Sequence, residues 1–258
     1  MSSPVAFALD LPSLAEARDA AREVAPAVGM VKVGLELFVQ AGPEAVKIGR
    51  EVERPVFLDL KLHDIPETVE RAVAQASNLG ARLVTVHASG GRAMLRRAVK
   101  RAETEGGTLA ICAVTILTSL DDGDLDDVGI NVTRRVAPFN PAAIREAAPA
   151  PAKEPSRASL AALGLAELAY EEGVRWFVCS AAEVASLRAK LGPGATIVTP
   201  GIRPADASAG DQKRVATPEQ AMKDGADWLV VGRPIRDAAN RLEAARAIAE
   251  AAAAARAS

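Results

Sequence analysis

The sequence has little of what several large classes of protein require. It contains two cysteines, Cys112 and Cys179, each inside an apolar run. That pattern suits buried, reduced thiols and argues against a disulfide framework. No Cys/His spacing of the zinc-binding kind occurs. The formal net charge is only -2, so no broad basic field exists to favour nucleic acid or an anionic membrane, although a local basic pocket stays open. No apolar run reaches the roughly 18 residues that would suggest a membrane span. The first residues lack a basic stretch followed by an apolar one, so no signal peptide is expected. The expected location is the cytoplasm.

What is present is regular. Hydrophobic residues make up 49% and charged residues 25% of 258 positions, an ordinary soluble composition on a length that fits one large α/β barrel or two small domains. Eight short apolar runs recur: Val5–Asp10, Met30–Gly34, Pro55–Lys61, Leu83–Ala88, Thr108–Leu117, Trp176–Ala181, Thr196–Gly201 and Trp228–Ile235. Their near-continuous hydrophobicity fits parallel strands buried on both faces. Amphipathic helical patterns separate them at Ser13–Ala25, Thr68–Leu79, Arg92–Glu105, Ser159–Glu172, Ala182–Leu191 and Pro218–Asp224, with a last helix from Asp237 onward. Ser13 with Glu16 three residues later has the form of a capping box. Alternation of this kind predicts an α/β fold, a (β/α)8 TIM barrel in a single domain. A doubly wound sheet is the competitor, but the first run ends in Asp10-Leu-Pro-Ser, which is not a dinucleotide fingerprint. Between Leu117 and Ser159 the rhythm breaks. An acidic part, Asp121 to Asp127, has room for a short helix. A Pro/Ala-rich insert at about residues 137–157 is expected to be a surface excursion and not a domain boundary.

Barrel active sites lie at the C-terminal ends of the strands. The polar residues there are Asp10, Lys32, Asp59 with Lys61 and Asp64, His87, Thr115 with Thr118, Arg203 and Arg233. Asp59 and Lys61 are two apart on one strand and so point to one side. From the pair alone, a structural ion pair at the rim is as good a reading as a catalytic one. Asp64 follows in a loop where ligands bind, and Lys32 ends the second run in a similar setting. Four alternating charges in one mouth would keep one another ionised, leaving a protonated lysine as a proton donor. Thr199-Pro-Gly-Ile-Arg203-Pro and Val231-Gly232-Arg233-Pro follow runs seven and eight, where barrels often hold phosphate. Gly232 permits close backbone approach, and Arg203 and Arg233 offer charge-assisted forks. Solvated arginines on Gly-Pro turns are the plainer alternative. His87 reads as a packed histidine, and His63 is assigned no chemistry.

These residues carry a resemblance. Phe7 to Asp10, Val31 to Gly34, Phe57 to Thr68, Ala113 to Ser119, Val178 to Ser180, Val198 to Pro204, Gly210 to Arg214 and Val231 to Ile235 all resemble the bacterial orotidine 5'-phosphate decarboxylase family, in order along the chain. The block Asp59 to Thr68, Asp-Leu-Lys-Leu-His-Asp-Ile-Pro-Glu-Thr, is the most specific. The resemblance implies decarboxylation of orotidine 5'-phosphate to UMP without metal or cofactor, with catalytic Lys61, Asp59, Asp64 and Lys32. It implies that Lys61 protonates C6 of the pyrimidine and that Asp59 sits by the substrate carboxylate. Asp10 and Lys32 would hold ribose hydroxyls, and Thr118 would contact the pyrimidine. Arg203, Gln212, Gly232 and Arg233 would bind the 5'-phosphate, with the 203–212 loop closing over it. It also implies a homodimer in which Asp64, Ile65 and Thr68 enter the neighbouring subunit's site. The Leu117–Ser159 stretch is longer than the family pattern. Two competitors remain: a related barrel that uses magnesium and an enediolate, and a catalytically silent phosphate-binding barrel.

Overall fold

The structure, a computed structural model, describes residues 3–106, 108–130, 155–204 and 216–257. Eight strands close into one parallel barrel in sequence order: β1 Val5–Ala8, β2 Met30–Gly34, β3 Val56–Leu62, β4 Leu83–His87, β5 Ala110–Val114, β6 Trp176–Val178, β7 Thr196–Thr199 and β8 Trp228–Val231. β1 pairs with both β2 and β8, so no edge is left open. The single (β/α)8 barrel expected from the alternation is the fold observed. Several apolar runs extend past the strands they contain. Leu9, Ile116 and Ile202 are buried in loops, so hydrophobicity alone does not mark where pairing stops.

Period-two alternation sorts the strand residues into two cores. Val5, Phe7, Val31, Val33, Val84, Val86, Ile111, Phe177, Ile197, Leu229 and Val231 face outward into the layer beneath the helices. Ala6, Met30, Phe57, Leu83, Cys112, Val198 and Val230 fill the barrel interior, and the Trp176 and Trp228 rings lie 6.5 Å apart against them. The same parity, carried toward the C-terminal ends, sends Asp10 beyond Ala8, Lys32 beyond Met30, Asp59 beyond Phe57 and Thr85 beyond Leu83 to the inside. The alternation that builds the core thus delivers the polar groups to the mouth.

The helices follow the predicted pattern with small boundary shifts. Leu14–Val24 starts at Ser13, whose Oγ accepts from the Glu16 backbone N–H at 3.2 Å. Two helices were not anticipated. Leu35–Ala41 and Pro43–Glu51 lie between β2 and β3, broken at Gly42, whose φ of 56° suits glycine, with Pro43 opening the second. The acidic segment forms a short helix, Asp122–Asp127, closed by an Asp121/Asp124 capping box. Arg157 reaches back to it, pairing with Asp126 at 2.6 Å. Residues 131–154, which hold most of the expected insert, lie outside the described residues. Ser156 caps the helix Arg157–Glu171.

Candidate active site

A cavity of about 460 Å³ opens at the C-terminal end of the barrel. Eight of the residues singled out from the sequence line it: Asp10, Lys32, Asp59, Lys61, Thr118, Arg203, Gly232 and Arg233. Seven strand ends or their following loops contribute, which only a closed barrel allows.

One side of the cavity is an alternating charge chain. Lys32 Nζ lies 3.1 Å from Asp10 Oδ1 and 3.7 Å from Asp59 Oδ2, and Lys61 Nζ lies 2.8 Å from the same Asp59 oxygen. The Lys32 side chain is only 9% exposed. An unpaired ammonium buried to that degree would cost several kcal/mol, so the two carboxylates are what keep it there. Gly34 makes room for this pair: a Cβ there would lie 2.9 Å from Lys32 Nζ and 3.0 Å from Asp10 Oδ1. Burial pushes the Asp59 carboxyl toward higher pKa. The Lys32 and Lys61 charges outweigh it, helped by hydrogen bonds from Lys61 and Thr85, and hold Asp59 below the usual carboxylate value of 3.8.

Lys61 does not sit on a regular strand. Pairing between β3 and β4 shifts register between Leu58 and Leu62, and Lys61 has φ 50°. A non-glycine residue in that left-handed region costs on the order of 1–2 kcal/mol. Strain of this kind persists where neighbours over-determine it. Here the Lys61 backbone N–H donates to Thr85 Oγ1 at 2.7 Å, and that hydroxyl donates to Asp59 Oδ1 at 3.0 Å. Thr85 is fully buried. It escaped sequence reasoning because a β-branched residue inside an apolar run reads as strand filler; the signal was its parity with Leu83.

The opposite side is cationic. Arg203 is buried, with its backbone N–H on Ala216 O at 3.0 Å and Nη1 on Ile202 O at 3.2 Å. Gly232 precedes the one-turn helix Arg233–Arg236. A Cβ at Gly232 would meet only ordinary contacts, 3.6 Å from Ala8 Cβ and 3.8 Å from Asp10 Oδ2, so packing does not demand glycine there; its bare backbone widens the cavity wall. Arg236, also missed from sequence because it falls between the eighth apolar run and the last helical pattern, lines the cavity as well. It donates to the Asp10 carbonyl at 3.1 Å and pairs with Asp237 at 2.6 Å, tying the β8 end to the β1 end.

Other expectations resolve differently. Asp64, Ile65 and Thr68 are exposed and do not line the cavity, so the four-charge mouth does not form within one chain; Asp10 takes the fourth place. Asp64 Oδ1 accepts from the Ile65 N–H at 2.6 Å at the start of the helix Pro66–Asn78. Gln212 lies outside the described residues. Thr115 is buried and donates to Val178 O at 3.2 Å, a packing role. The His87 ring lies 5.2 Å from that of His63; burial, then His63 and Lys61, lower its pKa below 6.5. Burial, with Asp59 and Cys179, pushes the Cys112 thiol well above its usual value, as for an inert core residue. Among the described residues no three His, Cys, Asp or Glu side chains group to hold a metal ion.

A model described as the orotidine 5'-phosphate decarboxylase / HUMPS family matches residues 3–248. The chain belongs to this family. The orotidine 5'-phosphate decarboxylase of Anaeromyxobacter sp. (strain K) is 49% identical over 248 residues, covering 96% of this chain and 97% of that protein. That of Thermobifida fusca (strain YX) is 45% identical over 251 residues, covering 96% and 95%. The crystal structure of orotidine 5'-phosphate decarboxylase from Lactobacillus acidophilus matches with a TM-score of 0.78 at 31% identity, covering 97% of this chain and 99% of that one. Membership in the orotidine 5'-phosphate decarboxylase / HUMPS family therefore rests on the barrel from end to end and not on one motif.

Proposed function

We propose that this chain converts orotidine 5'-phosphate to UMP and carbon dioxide in de novo pyrimidine biosynthesis, with no metal or cofactor. The observation that carries the reading is the single cavity that places the Asp10–Lys32–Asp59–Lys61 chain opposite Arg203, Gly232 and Arg233, in a member of this family. In this reading the substrate phosphate lies on the arginine side with Gln212, the ribose hydroxyls on Asp10 and Lys32, and the pyrimidine against Thr118. The substrate carboxylate lies beside Asp59. The bond from C6 to the carboxylate breaks, carbon dioxide leaves, and the electron pair stays on C6. The Lys61 ammonium stabilises that charge and delivers its proton to C6. An ammonium already held at 2.8 Å by Asp59 needs little reorganisation as the charge develops. Phosphate contacts remote from C6 contribute binding energy to the same barrier.

The same reading makes the enzyme a homodimer with shared sites. Ile65 is 67% exposed and stands between the exposed Asp64 and the helix that carries Thr68. In this reading the partner subunit covers Ile65. No helix among the described residues is long and apolar enough to cross a membrane, and we place the enzyme in the cytoplasm, without nucleic-acid or membrane partners.

The test is the absorbance change when purified protein is mixed with orotidine 5'-phosphate in the presence of EDTA. Steady conversion to UMP is the expected result. No turnover would overturn the reading, and turnover only after magnesium is restored would favour the magnesium-dependent barrel instead.

A further inference from the structure

We propose that Thr85 is a positioning residue for the reaction: its one hydroxyl sets both the Asp59 carboxylate and the Lys61 backbone, and so aims the Lys61 ammonium. This rests on the decarboxylase reading above. The hydroxyl accepts from the Lys61 N–H at 2.7 Å and donates to Asp59 Oδ1 at 3.0 Å, so its one proton and one of its lone pairs are used. Those bonds fall where the β3–β4 ladder slips, between Leu58 and Leu62, and where Lys61 adopts φ 50°. A backbone N–H freed by a register shift must find another partner in a buried setting. Thr85 supplies it from the neighbouring strand, at a position whose parity points into the barrel.

The second bond acts on the carboxylate. With Oδ1 held by Thr85, Oδ2 is left to face Lys61 at 2.8 Å and Lys32 at 3.7 Å. A carboxylate free to rotate would divide itself among several orientations. Threonine is suited to the task because two substituents on Cβ restrict its side-chain rotation. Valine has the same shape and would fill the same lumen position, so the hydroxyl is what distinguishes this residue from core filler. The charged groups that act on Asp59 are Lys32 on β2 and Lys61 on its own strand, and the Asp59 charge in turn acts to raise the pKa of His87 on β4 and of Cys112 on β5.

The test compares Thr85→Val, Thr85→Ser and Thr85→Ala with the wild type, each checked for folding by circular dichroism. Displacement of a catalytic group by about 1 Å costs roughly 10²-fold. Thr85→Val is expected to lose about that factor in kcat, with KM within about threefold because the phosphate contacts are intact. Thr85→Ser should stay within about tenfold of wild type, and Thr85→Ala should fall well below Thr85→Ser. Thr85→Val should also lose activity at a higher pH on acidification, because Asp59 lacks a hydrogen bond that favours its charged form. A purely structural role would lower the melting temperature and leave kcat and the pH profile of the folded protein unchanged. Wild-type kcat in folded Thr85→Val would overturn the proposal, as would equal activity of Thr85→Ser and Thr85→Ala, a comparison that holds even if Thr85→Val does not fold. An inactive wild type would instead refute the decarboxylase reading itself, and the role of Thr85 with it.

Discussion

Lys61→Ala is expected to lower turnover of orotidine 5'-phosphate by about four orders of magnitude while the barrel still folds. Two effects are lost together. General acid catalysis contributes roughly 10²–10⁴-fold, and a fixed charge aimed at a developing carbanion contributes roughly 10²–10³-fold. Because one ammonium supplies both, the losses do not simply multiply. Four orders of magnitude correspond to about 5.5 kcal/mol of barrier. The fold should survive because the Lys61 side chain is 32% exposed at the rim. Asp59 is not orphaned either, since it keeps Lys32 at 3.7 Å and Thr85 at 3.0 Å. Removing the Lys61 side chain does not relieve the strained backbone: φ at residue 61 is set by the ladder slip and by Thr85, so alanine inherits it. Initial rates at saturating substrate, with circular dichroism and a thermal melt, make the comparison. Residual activity within about tenfold of wild type would remove Lys61 from the proton-donor role.

Asp64→Asn is expected to be nearly inactive alone, and so is Lys61→Ala, yet a mixture of the two should recover activity. In the proposed dimer each site takes Lys61 from one subunit and Asp64 from the other. A mixed dimer therefore has one intact site and one that carries both changes. Random exchange at equal concentrations makes about half the dimers mixed, so the mixture should reach about one quarter of wild-type activity, as the symmetry of a two-fold dimer requires. The exposure of Asp64 and its absence from the cavity of its own chain support this arrangement. Subunit exchange is confirmed first with differently tagged chains. Exchange without recovered activity would place Asp64 outside a shared site.

Much of the fold and of the cavity was legible because both follow from one regularity. Eight apolar runs separated by helical patterns give a barrel, and a polar residue that ends such a run lands in its mouth. Asp10, Lys32, Asp59, Lys61, Arg203 and Arg233 were all visible on that rule. What escaped did so for physical reasons. Thr85 lies inside a run, where a hydroxyl looks like β-propensity; only the slip in the β3–β4 ladder gives it two partners. Gly34 looked like a strand terminus, and its function is to leave space for an ion pair formed by residues at 10 and 32. Arg236 sits in a helical turn too short to carry a periodic signal. The helices Leu35–Ala41 and Pro43–Glu51 are short and divided by a Gly-Pro break, which blurs their period. Asp64, Ile65 and Thr68 carry a family motif, yet nothing within one chain gives them a site to complete.

The most direct measurement is a crystal structure of the wild-type protein with UMP. The expected result has the phosphate on Arg203, Gly232 and Arg233, and pyrimidine C6 within about 3.5 Å of Lys61 Nζ, the range of a near-attack geometry. Asp64 from a second subunit should reach the same cavity. A phosphate bound at the Lys61 end, or a pyrimidine whose C6 lies beyond reach of Lys61, would contradict the assignment of the two sides of the cavity.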